Sequence, residues 1–436
     1  MMTRSLLSLL LVVTPAIAAA QTPAPRPITL ADAIARGRSN GIQGAEARLA
    51  ASGVAAHHDE IGAALLPKVN GGLSVDRETV NLHEFGISFP GIPAVTDPFT
   101  LFRAKASASQ VIFDRATVMQ LREAKDTAIA AGLDAQRVGE IGAAAAGAAW
   151  LRLAAAQETI QARSDDSVTA FALLEVARAQ VSAGTSPRID QTRTETEAAA
   201  TRTSLAVARN ERDRAMLDLS RTLDLPTDTP VLASGDPVVS MDSVPTDAAA
   251  AVALARAHRS DLAAEKQRQA VLNEGLAAIR SEFIPTVAAA GYLQTSGTAT
   301  DQLARSWDVG VSLNWPILDG FRRQRRVDEQ RIRIDAETLR LHDLDAQVEA
   351  DAREAVLDIA SARDQVALAT ERVRLAEEVL SEARDRFSAG VAGSVETTNA
   401  QAELATARDV LIQARVSAAA AQVGAAKALG LLDQVH

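Results

Sequence analysis

The segment Ala177-Arg178-Ala179-Gln180-Val181-Ser182-Ala183-Gly184 returns 206 residues later as Ala383-Arg384-Asp385-Arg386-Phe387-Ser388-Ala389-Gly390. At the same shift Leu223-Asp224-Leu225 meets Leu429-Gly430-Leu431. Earlier in the chain, Leu66-Pro67-Lys68-Val69 matches Ile284-Pro285-Thr286-Val287 at a shift of 218, and Ile112-Phe113-Asp114 matches Ile317-Leu318-Asp319 at 205. The difference, 218 − 205 = 13 residues, falls between Pro67 and Asp114, where Asn81-Leu82-His83-Glu84 and the Pro/Gly-rich Phe89-Pro90-Gly91-Ile92-Pro93 read as a long loop. A duplicated chain builds one architecture twice. The two copies run over 28–225 and 246–431, joined by a linker at 226–245 rich in Pro, Asp, Ser and Thr.

Each copy reads as helix, two strands, long helix, tight turn, helix. Trp307, Val309, Val311, Leu313 and Trp315 alternate with Ser306, Asp308, Gly310, Ser312 and Asn314, the period of a strand with one apolar face. The other three strands show the same alternation, giving expected strands at about 67–78, 101–113, 285–296 and 305–316. An apolar face of some ten residues, with aromatics at both ends of 307–315, suits a tilted membrane-spanning strand. It also suits a soluble sheet with one buried face.

The helices carry a seven-residue period. Ile359, Val366, Val373, Leu380 and Phe387 form one seam; Ala355, Ala362, Ala369, Ala376 and Ala383 form the other. Leu404 and Leu411 sit beside Ala400, Ala407, Ala414, Ala421 and Ala428 in the following helix. Such a repeat means supercoiled packing, and alanine on one seam lets the backbones approach closely. Long helices are expected over 115–183 and 320–389, each ended by a glycine, Gly184 or Gly390. Shorter ones follow over 187–222 and 394–429. A helix from Arg115 to Ala183 is about 100 Å long at ~1.5 Å per residue. Such a rod cannot fold into a compact domain.

Composition narrows the function. The 436 residues carry 45 Lys+Arg against 55 Asp+Glu, a net charge of −10, which argues against a nucleic-acid binder. There is no cysteine, so disulfides, thiolate metal sites, thiol nucleophiles and a lipid anchor on an N-terminal Cys are excluded. Aromatics are 3% of residues while 47% are apolar, the balance of alanine-packed helices rather than of a large globular core. At the N-terminus, Arg4, the apolar run Leu6 to Val13 and Ala18-Ala19-Ala20 form a secretory signal, with cleavage placed after Ala20. A short extension, 21–27, precedes the first copy, and a short tail, 432–436, follows the second. No later segment is long and apolar enough for a membrane-crossing helix.

Four strands cannot close a barrel, and an open strand edge cannot face lipid because its backbone groups would lack partners. A membrane-inserted version of this chain must therefore be built from several copies. Three copies give twelve strands around a lumen wider than side chains fill.

The residues resemble those of the TolC-type outer-membrane efflux protein family over the mature chain, from Ile28-Thr29-Leu30-Ala31-Asp32-Ala33 to Ala428-Leu429-Gly430. The duplication carries the likeness, with Pro67 and Pro285 entering strands, the turns at 182–184 and 388–390, and Trp315-Pro316-Ile317-Leu318-Asp319-Gly320. The resemblance implies a mainly α fold with a small β part. Long coiled-coil helices would form a periplasmic α-barrel, and four strands per chain would enter a trimeric twelve-stranded transmembrane β-barrel in the outer membrane. It implies a homotrimer in outer-membrane lipid that docks with a periplasmic adaptor protein and an inner-membrane transporter to export drugs, metals or proteins. It implies no cofactor, no enzymatic activity and no nucleic-acid partner. The helix tips of that family close the tunnel. By position the gate residues here are Asp190, Phe387, Glu396 and Asn399, the last an amide where a second carboxylate is expected. The adaptor would touch Gly184, Thr185, Ser186, Gly390, Val391, Ala392 and Gly393. Phe102, Trp307 and Trp315 are the membrane-facing aromatics. Asp190 and Glu396 also suit the first turn of a helix as dipole-compensating acids, and both roles can hold.

Other candidates carry less. His57-His58-Asp59-Glu60 cannot converge on a metal, since consecutive helical side chains diverge by about 100°, and reads as a solvated helix end. The run Arg322-Arg323-Gln324-Arg325-Arg326, followed by Arg331 and Arg333, reads as a solvated face interleaved with Asp328, Glu329 and Asp335, or as a contact with lipid phosphates. The rival architecture is a soluble periplasmic coiled-coil scaffold without a pore.

Overall fold

A computed structural model describes residues 25–88, 90–91, 93–235 and 244–434. The expected signal peptide, residues 1–20, lies outside them. The first half runs β1 Arg26–Ile28, α1 Leu30–Asn40, α2 Ile42–Ala63, β2 Lys68–Glu78, β3 Phe99–Phe113, α3 Arg115–Ser182 and α4 Arg188–Thr222. The second runs β4 Val231–Ala233, α5 Ala248–His258, α6 Ser260–Ser281, β5 Thr286–Gly297, β6 Ala304–Asn314, α7 Arg322–Ser388 and α8 Ser394–Ala428. Helix lengths match in pairs: 11 residues for α1 and α5, 22 for α2 and α6, 35 for α4 and α8.

Two details depart from the sequence reading. The single helix expected at the head of each half is broken in two, at Gly41 and at Arg259, both with extended ψ. Gly41 is a plausible breaker by composition, but Arg259 is held by tertiary contacts, its guanidinium 2.7 Å from Asp261 and 2.6 Å from Asp351. The stretch read as a linker contains β4, which pairs in parallel with β1. Three-residue strands leave no period to detect.

The alanine seam of α7 is buried at Ala355, Ala362, Ala369, Ala376 and Ala383, with Leu380 and Phe387 beside them. Leu380 and Ala383 pack against Ala400 and Leu404 of α8. Near the middle of the molecule the fully buried Trp150 donates its indole N–H to the Ile28 carbonyl at 2.7 Å, fixing α3 against β1. Leu219, Leu223 and Val423 complete that core. Gly37 in α1 lies so close to α3 that a Cβ there would stand 2.6 Å from the Gly142 carbonyl oxygen, so only glycine fits.

The four long strands form one antiparallel sheet in the order β2-β3-β5-β6, leaving β2 and β6 as free edges. Below it, α3 packs on α2 and on α6, and α6 packs on α7. Among the described residues no helix is long and apolar enough to cross a membrane.

Candidate functional site: the sheet and the helix tips

Cross-strand partners share a face of a sheet. The register pairs Val69 with Ala108, Ala108 with Gly291 and Gly291 with Val309; the next row of that face aligns Gly71, Ala106, Leu293 and Trp307, and the row beyond it pairs Leu73 with Ala104. These residues, with Val75, Phe102, Val311 and Leu313, make one apolar face. The opposite face aligns Asn70, Ser107, Tyr292 and Asp308, then Gly72, Lys105, Gln294 and Ser306. There the Lys105 ammonium lies 4.2 Å from the Tyr292 ring centre, and Arg103 pairs with Asp76 and Glu78, each at 2.6 Å.

The apolar face is uncovered. Val69, Leu73, Val75, Trp307, Val309, Val311 and Leu313 are 65% to 87% exposed. Burying such a side chain is worth about 1.5–3 kcal/mol. Leaving seven in water forfeits on the order of 10–20 kcal/mol, as much as the whole stability of an ordinary domain at roughly 5–15 kcal/mol. A soluble scaffold would cover this face; a lipid-facing wall does not need to. Trp307 and Trp315 lie near opposite ends of it and are both exposed, while Phe102 is half-buried.

At the foot of the sheet the arginine run departs from the reading as a solvated face. Arg323 is 3% exposed. Its guanidinium donates to Asp319 Oδ2 at 2.8 Å, the Glu282 carbonyl at 2.8 Å and the Pro316 carbonyl at 2.6 Å, and stacks 4.6 Å from the Phe283 ring centre. Arg326 pairs with Glu282 at 2.6 Å. Arg325, Arg331 and Arg333 stay exposed beside Asp328 and Glu329. The run mixes buried fasteners with solvated charges.

The other end of the rod is two hairpin tips. Gly184 and Gly390 both take φ +73°, the left-handed region that ends a helix at low cost only for glycine. Val391 N–H reaches back to the Arg386 carbonyl at 3.0 Å, and Thr185 N–H to the Gln180 carbonyl at 3.0 Å. Ser186, Ala392 and Gly393 complete the turns, and Val391, Ile189 and Val395 stand exposed at the apex, 70%, 61% and 49%.

Of the four residues expected at a gate, Asp190 and Phe387 are buried in a single chain and Glu396 and Asn399 are not. Asp190 is 6% exposed. Its Oδ1 accepts from the Ser394 backbone N–H at 3.1 Å and the Ser394 hydroxyl at 2.5 Å, and its Oδ2 accepts from the Ser186 hydroxyl at 2.9 Å. Arg193 adds a charge 3.8 Å away. Burial pushes the carboxyl pKa up, but the Ser394 and Ser186 bonds and the Arg193 charge outweigh it and hold it below the ordinary aspartate value. Asp190 thus serves as a side-chain cap for the start of α8, 204 positions away in sequence, and bolts one hairpin to the other. Phe387 is 1% exposed, packed on Leu173 and Ala177 of α3, and Gln180 donates to its carbonyl at 2.7 Å. Glu396 pairs with Arg386 at 3.2 Å across its own hairpin and remains partly exposed, as does Asn399. Ser394, Arg193 and Gln180, which complete the bolt, escaped the sequence reading because no local spacing marks a contact between hairpins. Among the described residues no group of three or more His, Cys, Asp or Glu could hold a metal ion. His57 and Glu60 pair at 3.0 Å on the surface of α2.

Residues 251–431 match the family described as outer membrane efflux protein. No curated protein matches in sequence. Solved structures match closely in shape. The Campylobacter jejuni CmeC outer membrane channel is 15% identical, with a TM-score of 0.78 over 92% of this chain and 85% of that one. The Vibrio cholerae outer membrane protein VceC is 14% identical, with a TM-score of 0.78 over 92% and 96%. The Neisseria gonorrhoeae MtrE outer membrane channel, in its open state, is 17% identical, with a TM-score of 0.74 over 92% and 89%. The second half of the chain thus matches the outer membrane efflux protein family, and the described fold is shared with these outer membrane channels.

Proposed function

We propose that three copies of this chain form a passive exit duct, conducting cargo delivered by an inner-membrane pump through a periplasmic helical tunnel and a twelve-stranded outer-membrane barrel. The observation that carries this is the sheet: one exposed apolar face, one polar face, and two free edges that only another copy can satisfy. Strand directions alternate along β2-β3-β5-β6, so β6 of one copy meets β2 of the next antiparallel and the ring closes without an edge. Three chains of four strands exceed the roughly eight at which membrane barrels begin.

The tips are the gate. Asp190 holds the hairpins of one copy together and Phe387 fills the space between them. Glu396 and Asn399, at the exposed start of α8, face the constriction, where three Glu396 carboxylates favour cations. The exposed turns from Gly184 to Ser186 and from Gly390 to Gly393, with Val391 at the apex, receive a periplasmic adaptor. Its binding energy breaks the Asp190–Ser394 bolt and lets the hairpins swing apart. Purified protein added to a planar lipid bilayer should give stepwise conductance without any energy source. Protein that inserts yet never conducts would remove the duct reading.

A further inference from the structure

The apolar face of the sheet ends in arginine at its distal edge. On β6 the outward residues Leu313, Val311, Val309 and Trp307 are followed by Arg305, and on β2 the outward residues Val69, Leu73 and Val75 are followed by Arg77. Thr100 pairs with Arg77, and Thr295 with Arg305. All four strands thus turn polar on this face toward the end farthest from the helices. Both arginines are exposed, and among the described residues neither guanidinium has a partner within the chain. Asp76 and Glu78 flank Arg77 in sequence but cannot neutralise it. Alternation turns them to the polar face, where Arg103 takes both. An outward arginine is costly at the middle of a bilayer and nearly free at its surface, and Trp307 beside Arg305 marks the interfacial level. The two arginines therefore stand at headgroup height, on the side of the membrane away from the periplasmic helices.

Given the ring proposed above, β6 and β2 are neighbours at each junction between copies, and the register inside one chain shows how close the two arginines come. β6 ends at Ala304, in the row of Ser74, whereas β2 runs on to Glu78, 78 − 74 = 4 residues further. At the other end the row of Lys68 meets β6 at Gly310, and β6 runs on to Asn314, 314 − 310 = 4 residues. The rows thus climb toward the distal end on the way from β2 to β6. Four strands about 4.8 Å apart and tilted by roughly 35–45° climb on the order of 13–19 Å, or about four to six residues. A slip that keeps the apolar residues on one face is even. The row of Leu73 leads to Arg305. A slip of four sets Arg305 opposite the next copy's Arg77; a slip of six sets it opposite Thr79, with Arg77 on the diagonal. Both arrangements hold the two Cβ atoms about 4.5–8 Å apart, where like charges repel unless an anion lies between them.

We infer that Arg305 of one copy and Arg77 of the next clamp a lipid phosphate, one clamp at each junction. The ligand is a phosphorylated headgroup of the outer leaflet whose acyl chains lie on the apolar face below. Guanidinium forks bind phosphate bidentately, and the hydroxyls of Thr100 and Thr295 line the same rim. The apolar wall that runs on beneath the pair gives acyl chains a surface that a free ion does not use.

Native mass spectrometry of the intact trimer in mild detergent tests the clamp, with diphosphoryl lipid A as the probe. The wild-type trimer should take up one molecule per junction, and should bind the same lipid stripped of its phosphates at least about tenfold more weakly. Arg77→Gln and Arg305→Gln should each weaken lipid A binding roughly tenfold. Lys105→Gln, on the opposite face of the sheet, should leave it unchanged. Inorganic phosphate at the same concentration should neither bind nor compete. A wild-type trimer that binds both lipids equally, or arginine variants that bind lipid A as tightly as wild type, would overturn the clamp and leave the duct intact. Inorganic phosphate bound as tightly as lipid A would make the site one for a free anion and overturn the lipid assignment. Where a variant fails to assemble, the wild-type comparison of the two lipids decides. Wild-type protein that is monomeric by native mass would overturn the ring on which the clamp rests.

Discussion

Replacing Asp190 by alanine isolates the gate. The carboxylate accepts three hydrogen bonds, two from Ser394 and one from Ser186. Ser394 is fully buried, so its amide and hydroxyl find no water when the acceptor goes. An orphaned buried donor costs roughly 1–3 kcal/mol, and loss of a helix cap costs about 0.5–2 kcal/mol. Against these stands the desolvation of the carboxylate itself, which the variant no longer bears. The net loss at the bolt is on the order of 3 kcal/mol, or about two decades in the ratio of separated to joined hairpins. In planar bilayers the Asp190→Ala channel should therefore spend roughly a hundredfold more time open relative to closed, before the open fraction saturates. Asp190→Asn, which keeps one acceptor oxygen, should fall between. A variant whose thermal stability drops by this amount but whose open fraction is unchanged would refute the gate, leaving Asp190 a structural cap alone.

Other expectations follow from the same contacts. The lowered folded-state pKa of Asp190 means that its stabilisation is complete above the unfolded value of about 3.9 and is lost as pH falls through the lower folded value. Wild-type conductance should thus rise only below about pH 4, and this rise should be missing in Asp190→Ala. Arg323→Ala would leave Asp319 and the Glu282 and Pro316 carbonyls without their donor, seen as a lower temperature of trimer dissociation. Val309→Lys on the apolar face should cost roughly 2–4 kcal/mol of barrel stability in urea titrations from vesicles. Ser306→Lys on the polar face should cost little and shift ion selectivity toward anions.

Much of this architecture is legible in the sequence because its determinants are periodic. Seven-residue spacing of alanine marks the rods, and strict alternation over ten residues marks the strands. Glycine at 184 and 390 marks the tips, since only glycine accepts φ +73° there without strain. What escapes is set by contacts between distant segments. Arg259 breaks a helix through Asp351, 92 positions away. Arg323 is buried while its neighbours Arg322 and Arg325 are not, a difference that composition cannot encode. Asp190 looks like an ordinary first-turn acid of α4, and it is one; its bond to Ser394 depends on how two hairpins lie together.

The central claim is that this chain is one part of a closed membrane barrel, and native mass in mild detergent tests it most directly. Protein recovered from outer membranes should weigh about 130 kDa beyond bound detergent. That is three chains, each 45.8 kDa before loss of a signal segment of some 20 residues at ~110 Da apiece. Recovery from the periplasm as a detergent-free monomer or dimer would contradict the account, since four strands with an exposed apolar face could not then be the wall of a pore.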